Sequence, residues 1–369
     1  MKQPVRWLRT GGSLVLLFLI ALAAAAEPVV LPPVWTEAQL VQHLTASPFD
    51  GRAQVEGNHS LKAQTNVKPL LQDEGGFTGE YGYYRFSSLS ELRINLARWR
   101  LSYAFGMADR FEGDEGGAQL YLYGVNLAQI PSGTLSIRAK LNRSAVNRWT
   151  LEHLVSVPRG WVLLAGSLYL SRRVQQGTLA GAWQGGEFDG QMVLDSTRGL
   201  DPVETRSVGL GAHLAVSLSL SERWRFGFWG ENLLGHLWQR KVRRVTAHVQ
   251  ANTIVPDADG FLHAAPFLSG RVDDLSRDLS LQRQVTLGLA YRGRGGAWLL
   301  FASHRDGWDW ALGHALRHRW LLCHLPDGQV QAGWKAGQWQ VVLGLSHLNP
   351  LQAKHATLEV QWAVPLGDK

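Results

Sequence analysis

Hydrophobic and polar residues alternate with a period of two along residues 207–220. Val208 begins an apolar row that takes every second position as far as Leu220, and small or polar side chains such as Gly209 and His213 fill the positions between. This is the period of a β-strand whose two faces meet different surroundings. Ordinary strands have about 5–6 residues, whereas a tilted strand needs about 9–11 to cross a bilayer. The stretch therefore predicts a strand long enough to span a membrane.

The same alternation recurs along the chain from Phe77 onward. Further examples lie at 135–142, 148–157, 162–170, 244–251, 284–291 and 357–366. Short connections containing Gly or Pro separate many of these segments, and longer stretches without alternation lie around 172–206 and 253–280. Short turns at one rim and long loops at the other are typical of membrane barrels.

From these segments we predict an all-β fold, an antiparallel transmembrane β-barrel over residues 77–369. Even strand numbers are the rule for bacterial single-chain barrels, and we expect about 14 strands, within roughly 12–16. Alternation by itself also fits a soluble sandwich whose polar face meets bulk water, so the membrane assignment rests on other features.

Tryptophan placement is one such feature. The chain has 16 Trp, and Trp161, Trp224, Trp298 and Trp339 each stand at a strand end, next to a predicted turn. Because an indole ring suits the boundary between water and hydrocarbon, we predict that these four belong to a membrane girdle. Tryptophans in a sandwich core would favour the middle of strands.

The N-terminus has the pattern of a secretory signal peptide. Three basic residues precede an apolar run at 14–22, and the alanines at 23–26 follow. We expect cleavage near Ala26. Residues 27–76 then differ from the rest, with a proline-rich start and a short predicted helix over 35–45. We interpret them as an N-terminal segment that is either periplasmic or a plug filling the lumen.

The charge balance argues against a nucleic-acid partner. Removing Lys2, Arg6 and Arg9 leaves 34 basic against 30 acidic residues, a net charge of +4 in place of +7. After residue 26 no uninterrupted apolar run approaches the length of a membrane helix. A secreted chain of this kind is either a soluble periplasmic β-protein or a closed barrel, the one sheet that satisfies all its backbone groups in lipid.

Taken together, the signal peptide, the alternating strands, the Trp residues beside turns and the closing strand 356–366 resemble Gram-negative outer-membrane β-barrel proteins. The resemblance is to the class and covers about residues 77–366. It implies insertion among outer-membrane lipids, after handling by periplasmic chaperones and the barrel-assembly machinery. Such proteins commonly end on an aromatic residue, and here Leu366 is followed by Gly367-Asp368-Lys369.

Charged or titratable side chains in the polar rows are candidates for lining a pore. These are Arg138, Lys140, Arg148, Glu152, Arg225, Glu231, Arg244, His248 and Glu359. Because the basic members are in excess, an open lumen would weakly prefer anions. The alternative is an interior filled with ion pairs that hold the barrel rigid.

Sequence motifs for enzymatic chemistry are lacking. The chain has no Gly-x-Ser-x-Gly elbow, phosphate loop or His-Glu-x-x-His sequence, and it predicts no cofactor and no metal site. Ser303 and His304 would suit a hydrolase, but neighbours in a strand point to opposite faces. We therefore predict a non-enzymatic, porin-like barrel that acts as a pore or in export or surface assembly. Two alternatives remain open: an outer-membrane lipid hydrolase, and a soluble periplasmic β-protein that binds an apolar ligand.

Overall fold

The computed structural model describes residues 28–46, 53–67, 80–123, 134–184, 187–197, 207–256, 262–305, 307–325, 328–349 and 352–366. The predicted signal peptide and its cleavage near Ala26 lie outside these ranges. Two helices are described, α1 (Glu37–Thr45) and α2 (Glu115–Tyr123). Within the described ranges, neither helix is long and apolar enough to cross a membrane.

Sixteen strands are described. They are β1 (Gln54–Thr65), β2 (Tyr81–Leu96), β3 (Trp99–Asp114), β4 (Thr134–Val157), β5 (Gly160–Gln184), β6 (Glu187–Ser196), β7 (Ser207–Ser219), β8 (Trp224–Pro256), β9 (Leu262–Ser280), β10 (Gln284–Gly293), β11 (Gly296–His304), β12 (Trp308–Leu316), β13 (Arg319–His324), β14 (Val330–Ala336), β15 (Trp339–Leu345) and β16 (His355–Pro365).

Fourteen of the described strands close into one antiparallel ring. Neighbours in sequence pair from β10 to β16 and from β1 to β5, and the ring continues through β7 and β8. Pairing of β8 with β10 completes it, and pairing of β1 with β16 joins the two ends of the barrel sequence. The predicted antiparallel barrel of about 14 strands is therefore confirmed.

The apolar rows face outward from this ring. On β7, Val208 is 41% exposed and Leu210 is 52% exposed, whereas Ser207 and Ser217 on the other face are 1% exposed. Leu343 on β15 is likewise exposed. In a soluble sandwich these rows would be pressed together in a core. Here they form the outer surface of a closed barrel.

Strands β6 and β9 lie outside the ring. Both pair with the far half of β8, and β6 also pairs with the far half of β5. The irregular stretches predicted around 172–206 and 253–280 were therefore wrong in large part, because strands occupy much of both. Backbone pairing with β8 holds these two strands outside the ring.

The barrel also begins earlier than predicted. Residues 54–65, placed by the sequence in the N-terminal segment, form β1 between β16 and β2. The prediction of a boundary at residue 77 was wrong, because β1 carries Gly57, Asn58 and Ser60 and shows little contrast between its faces. Of the rest of the predicted N-terminal segment, the structure describes residues 28–46 as the longest stretch.

The two rims of the barrel differ. Connections of two to four residues at 97–98, 158–159, 220–223, 294–295, 317–318 and 337–338 lie at one rim, together with the start of β1 and the end of β16. In the last of these, Gly337 adopts φ 57°, a left-handed conformation that suits glycine. We call this end the short-turn rim and the opposite end the long-loop rim.

Candidate functional site

Residues 28–45 lie inside the barrel. Their contacts reach β1, β4, β8 and β16, which stand on different sides of the ring, so the segment must occupy the lumen. Helix α1 begins with a capping box in which Thr36 N–H donates to Gln39 Oε1 at 2.9 Å. We call residues 28–45 the lumen segment.

One side of the lumen is apolar. Leu40, Val41 and Leu44 of α1 are buried there, as the helical spacing of these residues in the sequence predicts. The wall side chains of this cluster are Leu154, Trp161, Leu163, Ala215, Trp229, Ala290, Leu299, Phe301, Ala311, Ala315, Trp320, Leu322 and Val342. They come from strands between β4 and β15, which therefore provide a hydrophobic surface against which the helix packs.

Three buried wall carboxylates hold the residues just before α1. Glu231 accepts the backbone N–H of Val34 at 2.8 Å and that of Trp35 at 3.1 Å. Glu152 accepts the indole N–H of Trp35 at 3.3 Å, and Glu359 accepts the hydroxyl of Thr36. Without these acceptors the buried donors would stay unsatisfied, which is costly in a dry interior.

Buried arginines on β2, β3 and β4 occupy the polar side of the lumen. Arg148 donates to the carbonyl of Pro33 at 3.0 Å and lies 3.7 Å from Glu91. Arg100 donates to Glu152 at 3.2 Å, and Arg93 contacts Glu91. Loss of one partner would leave the other as an uncompensated buried charge. The network therefore stabilises the positions of both the wall strands and the lumen segment.

A further ion pair joins the lumen segment to β1. The Nζ of Lys62 donates to Glu37 Oε1 at 2.8 Å, and His324 Nε2 lies 4.0 Å from the same oxygen. Burial alone would raise the pKa of Glu37, but the Lys62 ammonium and His324 outweigh it and lower that pKa from 4.5 to about 2. Glu37 is therefore a carboxylate at any ordinary pH.

His43 sits in the apolar part of the lumen. Burial lowers its pKa well below the usual value, and the charges of Arg100 and Arg93 lower it further. The neutral ring accepts the indole N–H of Trp229 at Nδ1 over 3.3 Å and meets the Trp161 ring edge-on at 5.5 Å.

Trp161 thus belongs to the lumen. It is 7% exposed, so its predicted place in a membrane girdle was wrong. Position beside a turn does not say which face of the strand a residue occupies, and here the register turns Trp161 inward. The other three predicted tryptophans, Trp224, Trp298 and Trp339, are exposed near the short-turn rim, as a girdle requires.

The lumen segment divides the interior into two spaces. Toward the long-loop rim lies a cavity of about 380 Å³, which we call the vestibule. Its lining mixes aromatic with charged groups, among them Trp35, Phe301, Lys62 and Asp309. Toward the short-turn rim lies a cavity of about 640 Å³ beneath the end of α1, which we call the rim cavity.

The predicted pore-lining residues fall into two groups. Arg148, Glu152, Glu231 and Glu359 are buried inside and contact the lumen segment, while Arg225 faces the rim cavity and reaches the Leu44 carbonyl at 3.4 Å.

The other four lie in the far halves of β4 and β8, beyond the ring. Arg138 and Lys140 are exposed there. Arg244 donates to Asp195 at 2.7 Å and His248 pairs with Asp189 at 2.6 Å, both on β6. Sequence periodicity could not separate these from lumen residues, because the alternation of faces continues along a strand beyond the closed ring. Among the five inside, acidic groups outnumber basic ones, so the predicted basic excess of the lumen is not found in this set.

Several lumen residues were missed by the sequence analysis. Glu91, Arg93 and Asn95 alternate with Leu92 and Ile94 on β2, a period-two signal that could have identified them. Lys62 had no such signal, since its strand was not recognised.

Ser303 and His304, the residues considered for a hydrolase, do not contact each other through their side chains. Ser303 lines the vestibule and its hydroxyl lies 2.9 Å from that of Thr286, whereas His304 packs beside Trp308. A different pair meets on the outer face, where His59 Nδ1 lies 2.9 Å from Ser90 Oγ across β1 and β2. Among the described residues no carboxylate forms an ion pair with His59.

No family model matches this chain, and no curated protein matches it. Among solved structures, it is similar to the toluene transporter TodX of Pseudomonas putida, with 10% identity over 87% of this chain and 91% of that one and a TM-score of 0.40. The autotransporter NalP translocator domain of Neisseria meningitidis has 10% identity over 97% and 95%, with a TM-score of 0.36. An outer membrane channel of Pseudomonas putida has 10% identity over 87% and 100%, with a TM-score of 0.36.

Proposed function

We propose that this chain is an outer-membrane channel whose lumen is closed by its own N-terminal segment and which passes a small solute when that segment moves. The observation that carries the proposal is the lumen segment itself. It lies between the vestibule and the rim cavity, and in this position it would obstruct the path of a solute along the lumen.

The way the segment is held supports a movable plug. Besides the apolar packing of α1, its contacts to the wall are largely side-chain hydrogen bonds and ion pairs, such as Glu231 to Val34 and Lys62 to Glu37. Among the described residues of the segment, the one backbone bridge to the wall is at Val29, beside Leu281. Side-chain contacts can be exchanged for water or ligand contacts without taking the wall apart.

The exterior supports a membrane location. Leucine rows face outward, and Trp224, Trp298 and Trp339 stand near the short-turn rim, where an interface would lie. Together with this location we propose that the protein contacts outer-membrane lipids and depends on periplasmic chaperones and the barrel-assembly machinery, as its sequence predicts. By the usual arrangement of such barrels, the short-turn rim faces the periplasm.

Recordings in planar bilayers test the channel. We expect the full-length chain to be mostly closed with rare openings, and the Glu231→Ala variant, which loses two bonds to the segment, to open more often. Glu222→Ala, in an exposed turn, is the matched control for losing a carboxylate. If neither the wild-type chain nor the Glu231 variant conducts, the channel proposal is wrong. Membrane fractionation and heat-modifiable gel migration test the location and the closed barrel.

A second candidate function is lipid hydrolysis on the outer face. It is favoured by the contact between His59 and Ser90, a potential base and nucleophile on the lipid-facing side. Vesicles of labelled phospholipid would report turnover by the purified chain. Activity that Ser90→Ala abolishes and Ser88→Ala leaves intact would favour this candidate, and no turnover by the wild-type chain would remove it.

A further inference from the structure

The rim cavity is surrounded by arginines. Arg159, Arg223, Arg225 and Arg292 all line this space of about 640 Å³. Glu222 is the one acidic residue among its described lining residues. The cavity therefore concentrates positive charge at one mouth of the barrel.

The positions of two of these arginines follow from the strands. Arg225 shares the inner face of β8 with Trp229 and Glu231 and pairs in register with Ala290 of β10. Arg292 follows two positions later on the same face of β10. Like charges so close in a sheet repel each other, and an anion bound between them would offset that repulsion.

No compensating carboxylate is found among the described residues. None of the four guanidiniums takes part in an ion pair with them, and Arg225 has only the Leu44 carbonyl at 3.4 Å. The buried arginines on β2, β3 and β4 are paired with carboxylates, for example Arg93 with Glu91 and Arg100 with Glu152. The contrast sets the rim cavity apart from the polar side of the lumen.

The short-turn rim around the cavity also carries an excess of positive charge. The six short connections contain Arg98, Arg159, Arg223, Arg294 and Arg317, against the single acidic residue Glu222. An anion approaching this end of the barrel is therefore attracted before it reaches the cavity.

We infer that the rim cavity binds a phosphate-bearing anion. The planar guanidinium presents paired N–H donors that match phosphate oxygens, and several such groups around one space can share a multivalent anion. The volume exceeds that of an inorganic ion and suits a small organic phosphate or a lipid headgroup. This inference goes beyond the proposed channel, because binding here does not require the lumen to conduct.

Calorimetric titration of the full-length chain in neutral detergent, with inorganic pyrophosphate as the probe, tests the site. We expect saturable binding that weakens at least about tenfold in the double variant Arg225→Gln/Arg292→Gln. The control Arg294→Gln/Arg317→Gln removes the same charge from the same rim outside the cavity, and should change the affinity by less than about twofold. No binding by the wild-type chain, or equal weakening by both double variants, would overturn the inference.

Heat-modifiable migration verifies that each variant is folded. Arg292→Gln alone alters an exposed side chain and keeps the test available if the double variant does not assemble. Repeating the titration in nanodiscs of phosphatidylcholine or phosphatidylglycerol distinguishes the two sources of phosphate. Weaker pyrophosphate binding in phosphatidylglycerol, for the wild type only, indicates a lipid headgroup as the occupant. Equal binding in both lipids indicates a soluble phosphate.

Discussion

Glu231 on β8 accepts a hydrogen bond from the backbone N–H of Trp35 at 3.1 Å, although 196 positions separate the two residues in the chain. The same carboxylate also accepts the N–H of Val34. One wall side chain thus satisfies two consecutive buried donors at the point where the lumen segment turns into α1. The strength of this attachment can be measured.

We expect Glu231→Ala to destabilise the protein by about 2–4 kcal/mol, because it leaves two buried N–H groups without an acceptor. Denaturant unfolding in vesicles, followed by tryptophan fluorescence, measures the loss. The same variant should make the lumen segment more sensitive to protease. Unfolding and proteolysis equal to those of the Glu222→Ala control would show that Glu231 does not hold the lumen segment.

Acid should weaken the attachment through Glu37 only at low pH. Because its pKa is about 2 in the folded state against 4.5 ordinarily, its ionised form stabilises the fold. That contribution is fully present above about pH 4.5 and is lost as the pH falls through about 2. Glu37→Gln should therefore be less stable than the wild type by an amount that is constant between neutral pH and about pH 5 and shrinks in stronger acid. Unfolding midpoints across that range measure it, and a difference that grows in acid would refute the ion pair.

The two kinds of tryptophan should respond differently to truncation. Trp161→Ala leaves a cavity in the packed lumen and should cost about 3–5 kcal/mol. Trp339→Ala removes an exposed ring whose place lipid can fill, so we expect a clearly smaller loss. Unfolding of both variants in the same vesicles gives the comparison. Equal losses would mean that Trp161 is not part of the lumen packing.

An arginine on the outer face tests the membrane-facing surface. Leu343 lies in β15, four positions from the start of the strand at the short-turn rim, and is 58% exposed. If this surface meets hydrocarbon, Leu343→Arg should cost about 2–4 kcal/mol in vesicles. Leu348→Arg, at a fully exposed position beyond the strand, should be nearly neutral. Two neutral results would mean that the apolar rows do not face lipid.

Charged residues in similar alternating stretches of the sequence occupy different parts of the structure. Arg148 and Arg244 stand in similar alternating stretches, yet the first is buried against the lumen segment and the second pairs with β6 beyond the ring. Period-two alternation reports that a strand has two faces. It does not report how far along the barrel axis a residue lies, because that depends on the register with neighbouring strands.

The sequence by itself determined the fold class, since alternation over long strands with outward leucines is a local property that any register preserves. It also predicted a short helix within 35–45, because Leu40, Val41 and Leu44 recur at helical spacing. Only the tertiary structure decided that this helix fills the lumen, that β1 belongs to the wall and that unpaired arginines gather beneath α1. Each of these depends on which strands become neighbours when the ring closes, and closure is set by contacts between residues far apart in the chain.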